Sequence, residues 1–289
     1  MISTGIRYNV TGCVKTGRRF CQKVRKERKV RSGMIDIHTH IIPRIDDGSD
    51  SRADSLAMAR MAAESGVTAL VATPHCNMEG YYDNFNSGDL VRAFADLSGL
   101  IREEGIPLEV LPGMEIYYSQ DLPRKIKEKA VIGLNHSRYY LVEFPFDISA
   151  SRMQRNLNEL LQMEQVIPVI AHPERYYCVQ RDPQVLYSMV MDGCLTQVNK
   201  GSIAGKFGEE PFVAAMELLE YNLVGCVASD AHTPYMRTTH MRDVYLFLQE
   251  NYSTEYARLM LKDNPGRMIE NRRVDMRAAA RPVRKRYFR

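Results

Sequence analysis

The chain has 289 residues, 45% of them apolar and 26% charged, which is enough to bury a substantial core. It contains no run of 18 apolar residues able to span a bilayer. The net charge of +4 hides a division. Residues 1–33 carry ten Lys or Arg against one acid and residues 271–289 carry eight against one, so residues 34–270 hold 21 basic and 33 acidic side chains, a net of −12. An acidic body argues against a nucleic-acid partner and suits the holding of cations. The basic N-terminus has no apolar stretch behind it, so no secretory leader is expected. Six scattered cysteines, Cys13, Cys21, Cys76, Cys178, Cys194 and Cys226, form no CxxC pair and read as the reduced thiols of a cytoplasmic protein.

Residues 1–33 show neither helical nor strand periodicity. They are expected to be a disordered basic extension or the product of a start codon assigned upstream of Met34. From Met34 the pattern is strand, then helix, repeatedly. The run Met-Ile-Asp-Ile-His-Thr-His-Ile-Ile predicts a strand. Ser51–Glu64 predicts a helix, opened by a Ser51-x-x-Asp54 capping pattern and closed at Gly66. Strands follow at Val67–Thr73 and Leu108–Leu111, separated by a helix over Leu90–Glu104, and the second strand leads into Gly113-Met114-Glu115-Ile116. Tyr139–Phe144, Val166–Ala171, Leu195–Val198 and Val224–Ser229 are the later strands. Helices are expected at Met153–Glu164, Pro183–Met191, Pro211–Tyr221, His240–Glu250 and Thr254–Leu261. This alternation argues for parallel strands with crossover helices, most simply a (β/α) barrel of about seven units over residues 34–270. Residues 271–289 are expected to form a basic C-terminal tail.

Five of the seven histidines stand beside acids or proline at strand ends. His38 and His40 lie two apart on one strand, so their side chains share a face, about 7 Å apart along the strand. Asp46 and Asp47 follow closely. His75 ends a strand in TPH, Glu115 follows another, His172 ends a third in AHPER, and Asp230 and His232 end a fourth in SDAH. In a barrel all of these positions fall at the C-terminal face of the strands, where active sites are built. Each alone reads more readily as a structural polar residue. Together, so many imidazoles and carboxylates in one partly dry site need compensating positive charge, which points to bound metal ions.

The order HxH, lone His, Glu, lone His, Asp-x-His resembles the polymerase-and-histidinol-phosphatase (PHP) superfamily. The words IDDGS, TPH, GMEIYY, LVEFP, AHPERY, TQVNKGS, SDAH and DNPGRMI, spread from Met34 to about Ile269, are similar to those of its CpsB/CapC tyrosine phosphatases of capsule and exopolysaccharide loci. The resemblance implies an α/β fold, a distorted (β/α)7 TIM-like barrel with its metal site at the C-terminal ends of the strands. It implies ligation by His38, His40, Asp47, His75, Glu115, His172, Asp230 and His232, with Glu115 bridging and Asp47 chosen over Asp46 on its spacing from His38. Two or three divalent ions are implied, manganese first, with magnesium, iron, zinc or cobalt as alternatives. Arg175 and Arg237 match positions implied to contact phosphate. The implied substrate is phosphotyrosine in the tail of a membrane-associated bacterial tyrosine kinase, which could recruit the protein to the inner face of the membrane; an oligomer is compatible with this. Arg44 departs from the family pattern, which has a small residue before IDDG.

The chemistry expected of these groups is attack on phosphorus by a metal-bridging hydroxide, with Arg175 and Arg237 on the equatorial oxygens and His232 or Asp230 available to protonate the leaving oxygen. Other readings are a different PHP phosphoesterase such as a histidinol-phosphate phosphatase, a nucleic-acid-processing PHP domain, or a non-catalytic metal-binding regulator. Cys13 and Arg19 have the Cys-x5-Arg spacing of a thiolate phosphatase, but no strand precedes Cys13 and the match reads as coincidence. Tyrosine doublets begin at Tyr81, Tyr117, Tyr139 and Tyr176. Some could line a cleft for an aromatic phosphoester, whereas Tyr139 and Tyr140 read as the alternating faces of a strand.

Overall fold

A computed structural model describes residues 33–274, 276 and 278–282. The expected N-terminal extension up to residue 32, the Cys13 motif and residues 283–289 lie outside the described residues. Nine strand segments form two parallel sheets. β1 (Met34–Thr39), β2 (Val67–Ala72) and β4 (Glu109–Pro112) make one sheet, in the order β1-β2-β4. The other runs β3 (His75–Cys76), β5 (Glu115–Tyr117), β6 (Tyr139–Glu143), β7 (Ile167–Ala171), β8 (Leu195–Asn199) and β9 (Cys226–Ala228) in that order. Two of the expected strands, Val67–Thr73 and Leu108–Leu111, are each followed after a short break by a second segment, which is why seven units appear as nine segments. Pro74, which lacks an N–H, stands between β2 and β3. Gly113 lies between β4 and β5, where a Cβ would stand 2.5 Å from Val71 Cγ1.

The barrel closes between its first and last strands. Asp230 N donates to His38 O at 2.9 Å, His40 N donates to Ala231 O at 2.8 Å, and Thr39 bridges Ala231 in parallel sense. Asp36 Oδ1 accepts from Ser229 N at 3.0 Å, tying the same two strands inside the barrel. The architecture is therefore the distorted seven-stranded barrel expected from the alternation.

Helices cover the outside as amphipathic crossovers. The helix Arg52–Glu64 begins where the capping pattern places it: Ser51 Oγ accepts from Asp54 N at 3.1 Å. Helices Gly88–Glu103 and Ala150–Leu161 turn Leu90, Leu97, Ile101, Met153, Leu157 and Leu160 inward against the strands. Burial of this kind contributes roughly 1.5–3 kcal/mol for each large apolar side chain. Several short helices had no periodic signal, among them Leu122–Lys127, Lys200–Ile203 and Asn264–Ile269. They are too short for one. The expected helix Thr254–Leu261 is instead α-helical over Thr254–Arg258 and passes into a π-helical stretch, Leu259–Asp263.

The first part of the basic tail lies against the N-terminal ends of the later strands. Tyr139 OH donates to Arg272 O at 2.6 Å, and Ala280 N donates to Tyr221 O at 2.9 Å. Gln184 Nε2 donates to Pro282 O at 2.7 Å. The segment's start, at Arg272, meets β6 at the strand's first residue, at the end of the barrel opposite the strand termini that carry the histidines.

Candidate metal centre

His38 and His40, two apart at the end of β1, both reach the Glu115 carboxylate, and Asp36 accepts from Ser229 N; all three are buried, as are Ile35 and Ile37 beside them. The turn after β1 then brings a carboxylate back onto His40. Ser49 N donates to His40 O at 3.0 Å, and Gly48 packs so closely that a Cβ there would meet His40 O at 2.2 Å. Arg44, at φ 62, takes a left-handed turn that glycine adopts at less cost; its side chain bonds Asp50 O at 3.0 Å.

The structure brings all eight expected ligand residues together. Glu115 Oε2 lies 3.1 Å from His38 Nε2, 3.2 Å from His40 Nε2 and 3.1 Å from His75 Nδ1. His172 Nε2 lies 2.9 Å from Glu115 Oε1. Asp230 Oδ1 stands 3.5 Å from His38 Nε2 and 3.6 Å from His40 Nε2. Asp47 Oδ1 is 3.4 Å from both His75 Nε2 and His232 Nε2. The two aspartates have different partners. Asp46 Oδ2 accepts from His40 Nδ1 at 2.8 Å and from His75 N at 3.0 Å, so it orients an imidazole, while Asp47 joins the cluster. Of the remaining histidines, His240 pairs with Asp243 and stands outside the cluster.

Hydrogen bonding determines which nitrogens face inward. Asp230 is a carboxylate: burial would raise its pKa, but His38 and Arg237 nearby hold it well below the usual range. As an acceptor only, its Oδ2 takes Asn199 Nδ2 at 2.6 Å. Asn199 Oδ1 must then accept from Gln197 Nε2 at 2.8 Å, which turns Gln197 Oε1 toward His38 Nδ1 at 2.7 Å. His38 therefore carries its proton on Nδ1, and so does His40 against Asp46. The two Nε2 atoms, 3.2 Å apart, face each other and a Glu115 oxygen. Such an arrangement needs positive charge among the groups: protons in the ion-free protein, where Glu115 and Asp230 raise the pKa of His38 and Asp46 and Asp230 that of His40, or a metal ion in their place. The separation is close to the ~3.3 Å expected of two imidazoles about 2.05 Å from one tetrahedral ion. The donors fit divalent metal ions. They fall into three groups: His38, His40 and Glu115; His40, Asp47, His75 and His232; and His75, Glu115 and Glu143.

Glu143, at the end of β6, was not foreseen. Its Oε2 is 3.7 Å from His75 Nδ1 and its Oε1 is 3.6 Å from His172 Nε2. Its place within LVEFP, a strand-end carboxylate like the others, was the available signal. Burial, then the charges of Glu115 and Asp230, push its pKa well above the ordinary carboxylate value. Burial lowers His75, His172 and, to about 4, His232, so these rings are neutral and able to ligate at pH 7. His172 and Asp230 sit at φ 32 and 50, left-handed for non-glycine residues, at the ends of β7 and β9. Each costs on the order of 1–3 kcal/mol, strain of a kind that collects at functional sites.

The two arginines flank the cluster and share one aromatic ring. Arg237 Nη2 bonds Asp230 Oδ2 at 2.5 Å, and Arg175 Nη1 is 3.8 Å from the same oxygen. The Arg175 guanidinium stacks 4.4 Å from Phe146 and 4.9 Å from Phe207, and Arg237 lies 5.7 Å from Phe207. Of the tyrosine doublets, Tyr82 stacks on His75 with centroids 5.5 Å apart, and buried Tyr176 lies with its ring centroid 6.0 Å from that of His172. Tyr139 is buried and Tyr140 partly so, as strand alternation predicts. Among the described cysteines, burial pushes Cys76 and Cys194 up to about 12, far from a reactive thiolate.

Comparison with known proteins agrees with this geometry. Residues 34–270 match the family model described as capsular polysaccharide synthesis, CpsB/CapC. The tyrosine-protein phosphatase YwqE of Bacillus subtilis (strain 168) is 39% identical over 254 residues, covering 88% of this chain and 98% of the relative. The tyrosine-protein phosphatase CpsB of Streptococcus pneumoniae is 32% identical over 241 residues, covering 82% and 98%. A solved structure from the work on YwqE and CpsB, described as unique metal-dependent tyrosine phosphatases, superposes with a TM-score of 0.80 at 36% identity, covering 87% of this chain and 100% of that one.

Proposed function

Because the chain belongs to the CpsB/CapC family of capsular polysaccharide synthesis, we propose that its barrel mouth hydrolyses phosphotyrosine with the help of bound divalent ions. It is a metal-dependent tyrosine-protein phosphatase, and its chemistry does not use cysteine. The observation that carries this reading is the convergence of three imidazole nitrogens on one oxygen of Glu115.

We assign the ion-holding role to His38, His40, Asp47, His75, Glu115, His172, Asp230 and His232, with Glu143 added. When bound, such ions lower the pKa of water to supply a nucleophile and neutralise phosphoryl oxygens. The chain's own groups do the rest. Arg175 and Arg237 present guanidinium groups at the rim of the cluster, where they can take phosphoryl oxygens in bidentate fashion. His232 Nδ1 donates to Asp230 O at 3.1 Å, so its Nε2 is a lone pair suited to a cation. Protonation of the leaving group demands little here, because a phenol has a pKa of about 10 and departs readily as phenolate. Manganese is our first choice of ion. A membrane-associated tyrosine kinase of a capsule or exopolysaccharide system is our proposed substrate protein, met in the cytoplasm at the inner face of the membrane. No described helix is long and apolar enough to cross a membrane.

The test is turnover of a phosphotyrosyl peptide by manganese-loaded protein, with histidinol phosphate as the competing substrate. Chelator and His38→Ala should each abolish turnover, readdition of manganese should restore the chelated wild type, and Cys13→Ser should have no effect. Turnover that survives chelation but is lost in Cys13→Ser would overturn the reading, and so would preference for histidinol phosphate.

A further inference from the structure

A cavity of about 670 Å³ opens directly beside the metal centre and shares Asp47, His232 and Arg237 with it. Its volume lies in the range of pockets that enclose a ligand of several groups, ~300–1,000 Å³, and so leaves room beyond one aryl ring. Phe207, Met236 and Phe247 contribute apolar wall. Its lining sets Lys200, Lys206 and Arg237 against Asp47 and Asp243. Neither lysine has an acidic partner within salt-bridge distance among the described residues, and Asp36 and Asp243 act on Lys200 only from farther off. Asp243 is exposed to solvent and lies 3.4 Å from His240 Nδ1. Asp47 belongs to the ion-holding cluster. Lys200 is held in place, with Nζ donating to His240 O at 2.6 Å and Thr238 Oγ1 at 3.2 Å, so its charge is fixed beside the loop that carries Arg237. Lys206 is exposed at the rim.

Resting on the phosphatase reading above, we propose that this cavity is a substrate subsite that takes an acidic side chain next to the phosphotyrosine. Unpaired cations beside an apolar wall select an acidic segment and disfavour a basic one, mainly through the free energy of like-charge contact. The phosphate on the metal centre and the acid in the cavity would then be two anchors on one extended segment.

The experiment compares three phosphotyrosyl peptides that differ only in flanking residues, being Glu, Ala or Lys, together with p-nitrophenyl phosphate, which has no flank. Wild type and Lys206→Glu are assayed with manganese. In wild type the Glu peptide should exceed the Ala peptide in kcat/KM by about fivefold, through KM, with the Lys peptide lowest. The preference should collapse at about 1 M salt, where the screening length falls to roughly 3 Å. Lys206→Glu should level or invert the order of the peptides and leave p-nitrophenyl phosphate turnover unchanged. Equal kcat/KM for all three peptides, or a Lys206→Glu loss shared equally by p-nitrophenyl phosphate, overturns the subsite. Failure of manganese-loaded wild type to hydrolyse p-nitrophenyl phosphate overturns the phosphatase reading itself, and the subsite with it.

Discussion

Replacing Gln197 by alanine removes the middle of the chain of amides that runs from Asp230 through Asn199 to His38. The ring of His38 keeps its place on β1 but loses the acceptor that holds its proton on Nδ1. In a buried site an unpaired N–H costs about 1–3 kcal/mol. His38 escapes that cost by rotating or by moving the proton to Nε2, and either change removes a lone pair from the ion. Loss of such an outer partner costs roughly 10–100-fold in metal affinity, or about 1.4–2.7 kcal/mol. At a free ion concentration of 100 times the wild-type Kd, binding stabilises wild type by about 2.7 kcal/mol, whereas a hundredfold weaker variant gains about 0.4 kcal/mol. For a chain of this size the difference is worth roughly 5–9 °C of metal-induced rise in Tm. The assay is thermal unfolding with and without manganese, alongside equilibrium dialysis. The quantity read is the increment on adding metal, because the space left by the side chain lowers the ion-free Tm by itself. Gln197→Glu keeps an acceptor for His38 but sets two acceptors face to face at Asn199, so its affinity should fall between. Wild-type affinity and a full metal-induced increment in Gln197→Ala would refute the argument.

Phe207 lies against both arginines, so Phe207→Ala should raise KM for p-nitrophenyl phosphate and the inhibition constant of inorganic phosphate by about 3–10-fold, with metal content unchanged. Phe207→Trp should retain most of the affinity; a fall in metal content or in kcat alone would contradict this role. Glu143 and His40 both have pKa values raised well above their ordinary range, so both hold protons more tightly than usual and ions must compete with those protons. Metal affinity should therefore fall as pH falls, and calorimetry at pH 7 in buffers of different ionisation enthalpy should register proton release; none would contradict the assignment. Burial raises Glu174 from 4.5 to about 7. The folded state then binds more protons between those values, so stability is full below about 4.5 and declines as pH rises to about 7, by about 3 kcal/mol. Urea unfolding in chelator should show that decline in wild type and lose it in Glu174→Gln; parallel pH curves would count against it.

Much of the candidate metal centre was legible because its proposed ligands are local signals. His38 and His40 alternate on one strand, and His75, Glu115, His172, Asp230 and His232 each follow an apolar run at a strand end. A parallel barrel sends all strand ends to one face, so a list of positions in the chain becomes a place. The strand breaks at Pro74 and Gly113 blurred element boundaries without moving the face. Asp46 and Asp47 could not be separated this way. They lie in a turn with no period, and their roles depend on His40, His75 and His232, the last of which is 185 residues further along the chain than Asp47.

The residue types, their order and the face on which they gather follow from the chain's own alternation of apolar strands and amphipathic helices. Tertiary structure alone decided the rest: that Glu143 joins the cluster, that Gln197 and Asn199 set the His38 tautomer, and that one phenyl ring supports two arginines. The physical reason is that hydrogen-bond direction and ring stacking depend on angstrom-scale approach between segments from different strands. A pattern read along one strand carries the face of each residue but not the identity of the atom opposite.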